Sequence, residues 1–295
     1  LLIPAIISFL FDNFSKDYSS GEFEGKEYKI SSNKKRDVIL TIFVYLIIAF
    51  IFLILGSFIY YAFVNNPVID NTLSFKHFEY IIDNNIGKYI FNSLFISILV
   101  SIFGTFIAYF AAYTTARIKG KSAKVIHVLT IISLAIPGIV LGLSYSIGFR
   151  NSFIYNTFII MVIVNIIHFI ASPYLMAYNA LEKVNPNYEV VAKTCNISIF
   201  RIIIDVIIPC TKKTIREMLT YFFVNSMVTI SAITFLFNTK TMPLSLLINN
   251  YEGNMMLGEA AIISLIILFF NVIAKGIIYI INRKESRRSI NGYNI

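Results

Sequence analysis

The sequence predicts an all-α membrane protein with six transmembrane helices, and three observations lead to this fold class. The 295 residues are 57% hydrophobic and only 14% charged, with a mean hydropathy of +0.74, whereas a soluble domain is about half apolar and about a quarter charged. Apolar runs long enough to cross a bilayer recur along the chain. The net charge of +9 comes from Lys and Arg residues that collect between alternate runs.

Six mostly apolar runs, bounded by charged or turn-forming residues, give the six helices. They cover residues 38–63, 89–114, 125–147, 153–178, 219–238 and 257–281. A spanning β-barrel would instead show segments of about ten residues that alternate between apolar and polar, and no such pattern recurs. We therefore expect a helical membrane domain over residues 38–284.

The distribution of basic residues predicts the orientation, because short loops rich in Lys and Arg stay in the cytoplasm. Of the 25 Lys and Arg residues, 20 fall in the segments 15–37, 115–124, 179–216 and 282–295. The segments on the opposite side hold four. The same charge that would suggest nucleic-acid binding in a soluble protein is thus explained by topology, with the tail 285–295 in the cytoplasm.

The first residues of the chain predict the end of a longer apolar segment. Residues 1–11 are apolar but only half the length of a span, and they lack the charged leading region and cleavage site of a signal sequence. We expect residues 1–14 to be the end of a preceding transmembrane helix and residues 15–37 to be a cytoplasmic linker. The chain would then be the C-terminal half of a duplicated membrane protein.

Motifs of catalysis and metal binding are missing from the sequence. Gly120, Lys121 and Ser122 resemble the end of a phosphate-binding loop, but the earlier glycine of that motif is replaced by Thr115 and no strand precedes it. The histidines are scattered, without the spacing of a zinc site. We expect no enzyme activity, no metal and no cofactor in this chain. An ion-coupled secondary transporter is the alternative, although it would usually show acidic residues inside the membrane.

The long segment 181–216 between the fourth and fifth runs predicts a helix, a tight turn and a second helix. Asn185 and Pro186 form a helix start, and Glu189 favours the positive end of the helix dipole. Asn196 tolerates the left-handed backbone conformation that ends a helix. A second apolar run follows and stops at Pro209. From these residues alone, a hairpin that packs only on its own protein is as good an explanation as a docking site.

This segment resembles the EAA loop of type I ABC importer permeases, the inner-membrane subunits of binding-protein-dependent transport systems. That family has Glu-Ala-Ala, three residues, Gly, and an apolar run closing on Pro nineteen residues after the Glu. Counting back from Pro209 puts the acid of the motif at Val190, next to Glu189, its alanines at Val191 and Ala192, and its glycine at Asn196. The resemblance covers roughly residues 38 to 284.

Two further stretches, 135–142 and 225–236, look like the branch that carries ferric iron, 2-aminoethylphosphonate or polyamines, in which two permease halves are often fused. The resemblance implies an ATP-driven importer in a bacterial inner membrane, with a cytoplasmic ATPase dimer that binds the ATP. It also implies an extracytoplasmic substrate-binding protein and a second permease half, fused or separate. The ATPase-coupling residues would be Glu189, Val190, Val191, Ala192, Asn196 and Pro209.

Polar side chains inside the runs are candidates for the translocation path. They are Asn165, His168, Ser172, Asn225 and Thr229. The first three recur at helical i, i+3, i+7 spacing and would share one face. Hydrogen bonding between helices is the alternative role for such residues. We also expect helix breaks at Pro137, Gly138 and Pro173, which membrane helices tolerate where a cavity or a neighbour re-pairs the backbone.

Overall fold

The structure is a computed structural model that describes residues 33–66, 70–118 and 120–292. The expected end of a preceding helix, 1–14, and most of the expected linker, 15–37, lie outside these residues. Where the linker is described, its last residues already belong to the first helix, which starts at Lys34 after an Asn33 cap. The expected tail continues the last helix as far as Gly292.

Helices make up most of the described residues. They are α1 (Lys34–Phe63), α2 (Lys76–Asp83), α3 (Ile86–Arg117), α4 (Lys121–Ile132), α5 (Gly138–Gly148), α6 (Phe158–Phe169), α7 (Ala171–Glu182), α8 (Asn187–Thr194), α9 (Ile199–Ile202), α10 (Ile208–Val228), α11 (Leu244–Gly253) and α12 (Leu257–Gly292). A short antiparallel hairpin, β1 (Val64–Asn66) and β2 (Asp70–Leu73), follows α1 and pairs Val64 with Leu73. The all-α fold class is confirmed apart from this hairpin, which the sequence did not predict.

Three helices in the described residues are long and apolar enough to cross a membrane: α1, α3 and the Leu257–Glu285 part of α12. Two bent pairs bring the number to five if each pair is one span, with a bend of 108° between α4 and α5 and of 54° between α6 and α7. Within α1, none of the most apolar stretch is buried inside the chain. Such all-round apolar exposure fits a helix in contact with lipid or with another membrane subunit.

Proline explains both bends. Pro137 precedes α5, which starts at Gly138, so the expected break at Pro137 and Gly138 is present. Pro173 lies in the first turn of α7 and has no N–H to donate to the carbonyl of Phe169, where α6 ends. The chain bends at Ile170 as a result, close to the expected position.

The predicted fifth span, 219–238, is wrong as a continuous helix. The helix that carries its first half, α10, starts eleven residues earlier and ends at Val228. Thr229 has an extended backbone, and residues 229–243 form turns and irregular segments. Four charged residues in the first half of α10, namely Lys212, Lys213, Arg216 and Glu217, explain why its apolar run looked displaced toward the C-terminus.

The helix α3 lies at the centre of the bundle and packs against α6, α7 and α10. Small and polar residues face its neighbours: Ser101 donates to the carbonyl of Leu219 at 2.7 Å, and the hydroxyls of Tyr109 and Thr211 are 2.7 Å apart. Close packing of this kind, with hydrogen bonds between helices, is how helices associate without a hydrophobic driving force in lipid.

Contacts at the two tips of α3 define the two ends of the bundle. At the hairpin end, Lys88 donates to the carbonyl of Thr239 at 2.7 Å, close to the hairpin and α2. At the other end, Arg117 meets Glu189 of α8 at 3.1 Å, and we call this the Glu189 end. Arg216 of α10 and Glu285 of α12 also pair at the Glu189 end, 2.6 Å apart.

Candidate functional site

The helix α8 starts and ends as its sequence predicts. The side chain of Asn185 accepts the backbone N–H of Asn187 at 2.9 Å in the turn before the helix. Asn196 has φ of 56°, the left-handed conformation expected for it. The N–H of Ile197 then reaches back to the carbonyl of Ala192 at 2.9 Å, which closes the helix end.

The acidic residue of this helix points into the protein. Arg117 Nε lies 3.1 Å from Glu189 Oε1, with side-chain exposures of 9% and 16%, and the hydroxyl of Tyr113 donates to the same oxygen at 3.1 Å. The second terminal nitrogen of Arg117 donates to the carbonyl of Val184 at 2.8 Å. Glu189 therefore fastens α8 to α3, a role that the sequence analysis missed because Arg117 is 72 positions away.

Two of the three expected apolar surface residues face outward. Val190 and Val191 are exposed, whereas Ala192 is only 4% exposed and packs inward. Tyr188 of α8 is also exposed, as are Phe200 and Ile204 in the segment that follows α8. Several exposed apolar side chains on one short helix are typical of a docking surface.

A groove of about 620 Å³ runs between α8 and the helical segment that follows it. Its lining combines apolar side chains with the exposed ion pair of Arg201 and Asp205, whose charged atoms are 3.3 Å apart. Tyr188 and Val191 belong to the lining as well. We use the name α8 surface for the groove, the outward apolar side chains of α8 and the exposed Phe200, which is next in sequence to the groove residue Arg201.

Pro209 does not end a helix, contrary to the prediction. Residues 203–207 form a π-helical turn that joins α9 directly to α10, and Pro209 lies in the first turn of α10. A π-helical turn changes the hydrogen-bond register by one residue, which accommodates a proline that cannot donate. The segment after α8 is therefore a long helical arm, and it is not a second short helix that stops at Pro209.

The expected path residues do not form one face. Asn165 and His168 lie in α6, while Ser172 lies beyond the bend in α7, so the shared face extends only over the first two. Asn225 donates to the carbonyl of Tyr221 at 2.8 Å within α10. The carbonyl of Thr229 accepts from Ser245 at 2.7 Å.

Asn165 and His168 are nevertheless unusual. Asn165 is fully buried and both of its amide atoms lack a hydrogen-bond partner, as does Nδ1 of His168. The His168 ring lies against Gly138, where a Cβ would come within 3.0 Å of it, and Ser231 approaches Gly138 even more closely. The helix break at Pro137 and the irregular segment after α10 thus meet next to α6.

The described residues contain no group of three or more His, Cys, Asp or Glu side chains placed to hold a metal ion. The two cysteines, Cys195 and Cys210, are free and exposed.

Comparison with known proteins gives a family and a fold. Residues 104–287 match the family described as "Binding-protein-dependent transport system inner membrane component". No curated protein matches the chain in sequence. Among solved structures, a bacterial ABC transporter involved in the import of the acidic polysaccharide alginate is similar, with a TM-score of 0.66 and 18% identity over 86% of this chain and 96% of that chain.

A second similar structure is the bacterial alginate ABC transporter in complex with an alginate pentasaccharide-bound periplasmic protein. The TM-score is 0.64, with 17% identity over 86% of this chain and 96% of that chain. At this identity, the two structures support the fold and do not identify what this chain carries.

Proposed function

Because the chain belongs to the family of binding-protein-dependent transport system inner membrane components, we propose that it is the membrane-spanning permease subunit of an ATP-driven importer in a bacterial inner membrane. In this proposal it performs no chemistry itself. A cytoplasmic ATPase dimer binds and hydrolyses the ATP, a substrate-binding protein delivers the cargo at the hairpin end, and a second permease half completes the pore.

The observation that carries the proposal is the α8 surface. The ion pair of Glu189 with Arg117 fixes α8 on the bundle, and Val190 and Val191 face outward. A short helix that presents apolar side chains beside a groove suits insertion into a cleft of a partner, where buried apolar anchors supply most of the binding energy. We infer that the α8 surface docks on the ATPase and that the Glu189 end is cytoplasmic, as the distribution of Lys and Arg indicates.

Substitution on the α8 surface tests this inference. Val191→Asp places a carboxylate on the α8 surface and should abolish both co-purification of the cognate ATPase subunit and uptake by the complex. Ile118→Asp is the matched control, because Ile118 is 56% exposed, close to the 58% of Val191, and follows α3 at the same end but outside the groove. If Val191→Asp binds the ATPase and transports normally, the docking inference is wrong.

The translocation path is proposed to pass the helix break where Gly138, His168 and the segment after α10 meet. Irregular backbone at membrane depth is tolerated where it lines a cavity. Polar side chains without partners inside a membrane protein are costly, so their presence indicates a function. Asn165 and His168 are the residues that best fit a path wall. Asn165→Leu and His168→Leu should reduce uptake while leaving ATPase binding unchanged, and normal uptake by both variants would contradict this placement.

The cargo is proposed to be ferric iron, or 2-aminoethylphosphonate or a polyamine, on the resemblance of residues 135–142 and 225–236 to that branch. The alginate importers share the fold, and at 17–18% identity they do not favour a polysaccharide. Uptake of radiolabelled ferric iron, the phosphonate and spermidine by cells that carry the full transporter would separate these cargoes. Uptake that follows an ion gradient and persists without the ATPase would instead favour an ion-coupled carrier.

A further inference from the structure

A single side chain at the tip of α3 holds two parts of the α8 connection at once. Arg117 pairs with Glu189 of α8 and donates to the carbonyl of Val184 before it, while Tyr113, one turn back on α3, donates to the same carboxylate oxygen. Because the Arg117 and Glu189 side chains are 9% and 16% exposed, water screens this pair far less than an exposed one.

Packing beneath α8 leaves a gap the size of about one water molecule. A small cavity of about 20 Å³ lies under the helix, lined by Glu189, Ala192 and the segment around Ile197 to Ile202. Unfilled space removes contacts that would otherwise hold the helix by packing alone. Arg117 Nε lies 3.1 Å from Glu189 Oε1 without the alignment of a hydrogen bond, so α8 is attached to α3 through charge attraction, the Tyr113 hydrogen bond and the bond from Arg117 to the carbonyl of Val184.

At its other tip, α3 holds the irregular segment before α11. Asn92 donates to the carbonyls of Lys240 and Met242, both at 2.9 Å, and Ser93 accepts the backbone N–H of Leu244 at 2.6 Å. Since the intervening 32-residue helix is continuous, a displacement at Arg117 reaches residues 239–244 through one rigid element. Rigid elements with polar contacts at both tips are the kind of structure that transmits displacement between distant sites.

We propose that Arg117 is the positioning residue that couples movement of α8 to α3, and through α3 to residues 239–244 at the hairpin end. This rests on the proposed docking of an ATPase at the α8 surface. In this arrangement the outward face of α8 receives the force and its inward face, through Glu189, delivers it to the central helix. Without Arg117, α8 still docks but moves without moving α3.

Hydrogen–deuterium exchange of the full transporter, nucleotide-free and trapped with Mg-ATP and vanadate, tests the coupling. In the unmodified complex, exchange should change on nucleotide trapping in both residues 187–194 and residues 239–244. Arg117→Gln removes the charge, and the change at 187–194 should persist while most of the change at 239–244 is lost. Arg117→Lys, which retains the charge but not the fork, should recover part of it.

Glu285→Gln is the control, since it weakens the Arg216 ion pair at the same end of the bundle and should leave both responses intact. An unchanged response at 239–244 in Arg117→Gln would overturn the proposal. Loss of both responses with the ATPase still bound would also overturn it, because Arg117 would then only maintain the structure of α8. No response at 187–194 in the unmodified complex would overturn the docking inference, and this proposal with it.

If Arg117→Gln fails to assemble with the ATPase, Tyr113→Phe replaces it, because this change removes one hydrogen bond to Glu189 and keeps the ion pair. A partial loss of the response at 239–244 is then expected. A complete response in Tyr113→Phe and in Arg117→Lys would overturn the proposal.

Discussion

Two side-chain contacts of nearly equal length hold peripheral segments to long helices at opposite ends of the described structure. At the hairpin end, His77 of α2 lies 3.0 Å from Glu259 of α12, and at the Glu189 end Arg117 lies 3.1 Å from Glu189. All four side chains are largely buried. The pairs differ in what they leave on the outside, because the proposed docking surface lies only at the Glu189 end.

At the hairpin end, the pair closes the structure. The second ring nitrogen of His77 lies 3.1 Å from the carbonyl of Val64, so the ring joins β1 to α12. At the Glu189 end, a permanently charged guanidinium pulls one face of α8 inward and thereby turns Val190 and Val191 outward. A buried side-chain contact thus closes the structure at the hairpin end, whereas a similar contact at the Glu189 end leaves apolar side chains exposed.

Among the variants that test this comparison, Glu189→Leu should reduce stability the most. The change leaves the Arg117 guanidinium buried without its counter-charge, which should cost about 3 kcal/mol of unfolding free energy. Asp205→Asn is the control, because the Arg201–Asp205 pair is exposed at 77% and 59% and such pairs contribute less than about 1 kcal/mol. Chemical denaturation in detergent measures the unfolding free energy of both variants. Equal losses of unfolding free energy would mean that the Glu189 pair contributes no more than an exposed pair.

A smaller effect is expected from Gly258→Ala at the hairpin end. An added Cβ would meet the His77 ring at 2.7 Å, and the ring cannot yield without losing its bonds to Glu259 and Val64. Overpacking of this kind costs about 1–3 kcal/mol.

Gly276→Ala in the same helix is the matched control for Gly258→Ala, since nothing lies within 4 Å of its added Cβ. It should be neutral or stabilising by up to about 1 kcal/mol, because alanine favours helices. Thermal unfolding of the two variants measures the difference, and equal melting temperatures would contradict the tight fit of His77 against α12.

The smallest effect is expected at the end of α8. Asn196 has φ of 56°, and an alanine there should cost about 1 kcal/mol because it lacks the short polar side chain that lets asparagine adopt the left-handed conformation. Asn196→Gly should cost nothing or stabilise, because glycine adopts the left-handed conformation without a steric penalty. Exchange protection of the amide of Ile197, which bonds to Ala192, reports the change locally, and equal protection in both variants would mean that the left-handed turn is not what closes α8.

Features set by neighbouring residues could be predicted from the sequence. The bounds of α8 follow from Asn185, Pro186 and Asn196, and the bends follow from Pro137 and Pro173, since caps and prolines act within one turn. The apolar composition and the clustering of Lys and Arg predicted the membrane class for a similar reason, because each apolar run can be recognised from its own residues.

Features that depend on distant contacts could not be predicted. Glu189 was expected to be a contact for the partner, but Arg117 draws it inward from 72 positions away. Ala192 follows it to the buried side. Pro209 was expected to end a helix, but the π-helical turn before it continues the helix through the proline. The end of α10 at Val228 similarly breaks an apolar run that gives no local stop signal.

Site-specific cross-linking at the α8 surface tests the central claim most directly. In the full transporter, with Cys195 and Cys210 replaced by serine, cysteines are introduced singly as Val191→Cys, Phe200→Cys and Ile118→Cys, each at an exposed position. The account predicts cross-links to the ATPase from positions 191 and 200 and none from position 118. Cross-links from position 118 alone, or from none of the three in a complex that hydrolyses ATP, would contradict it.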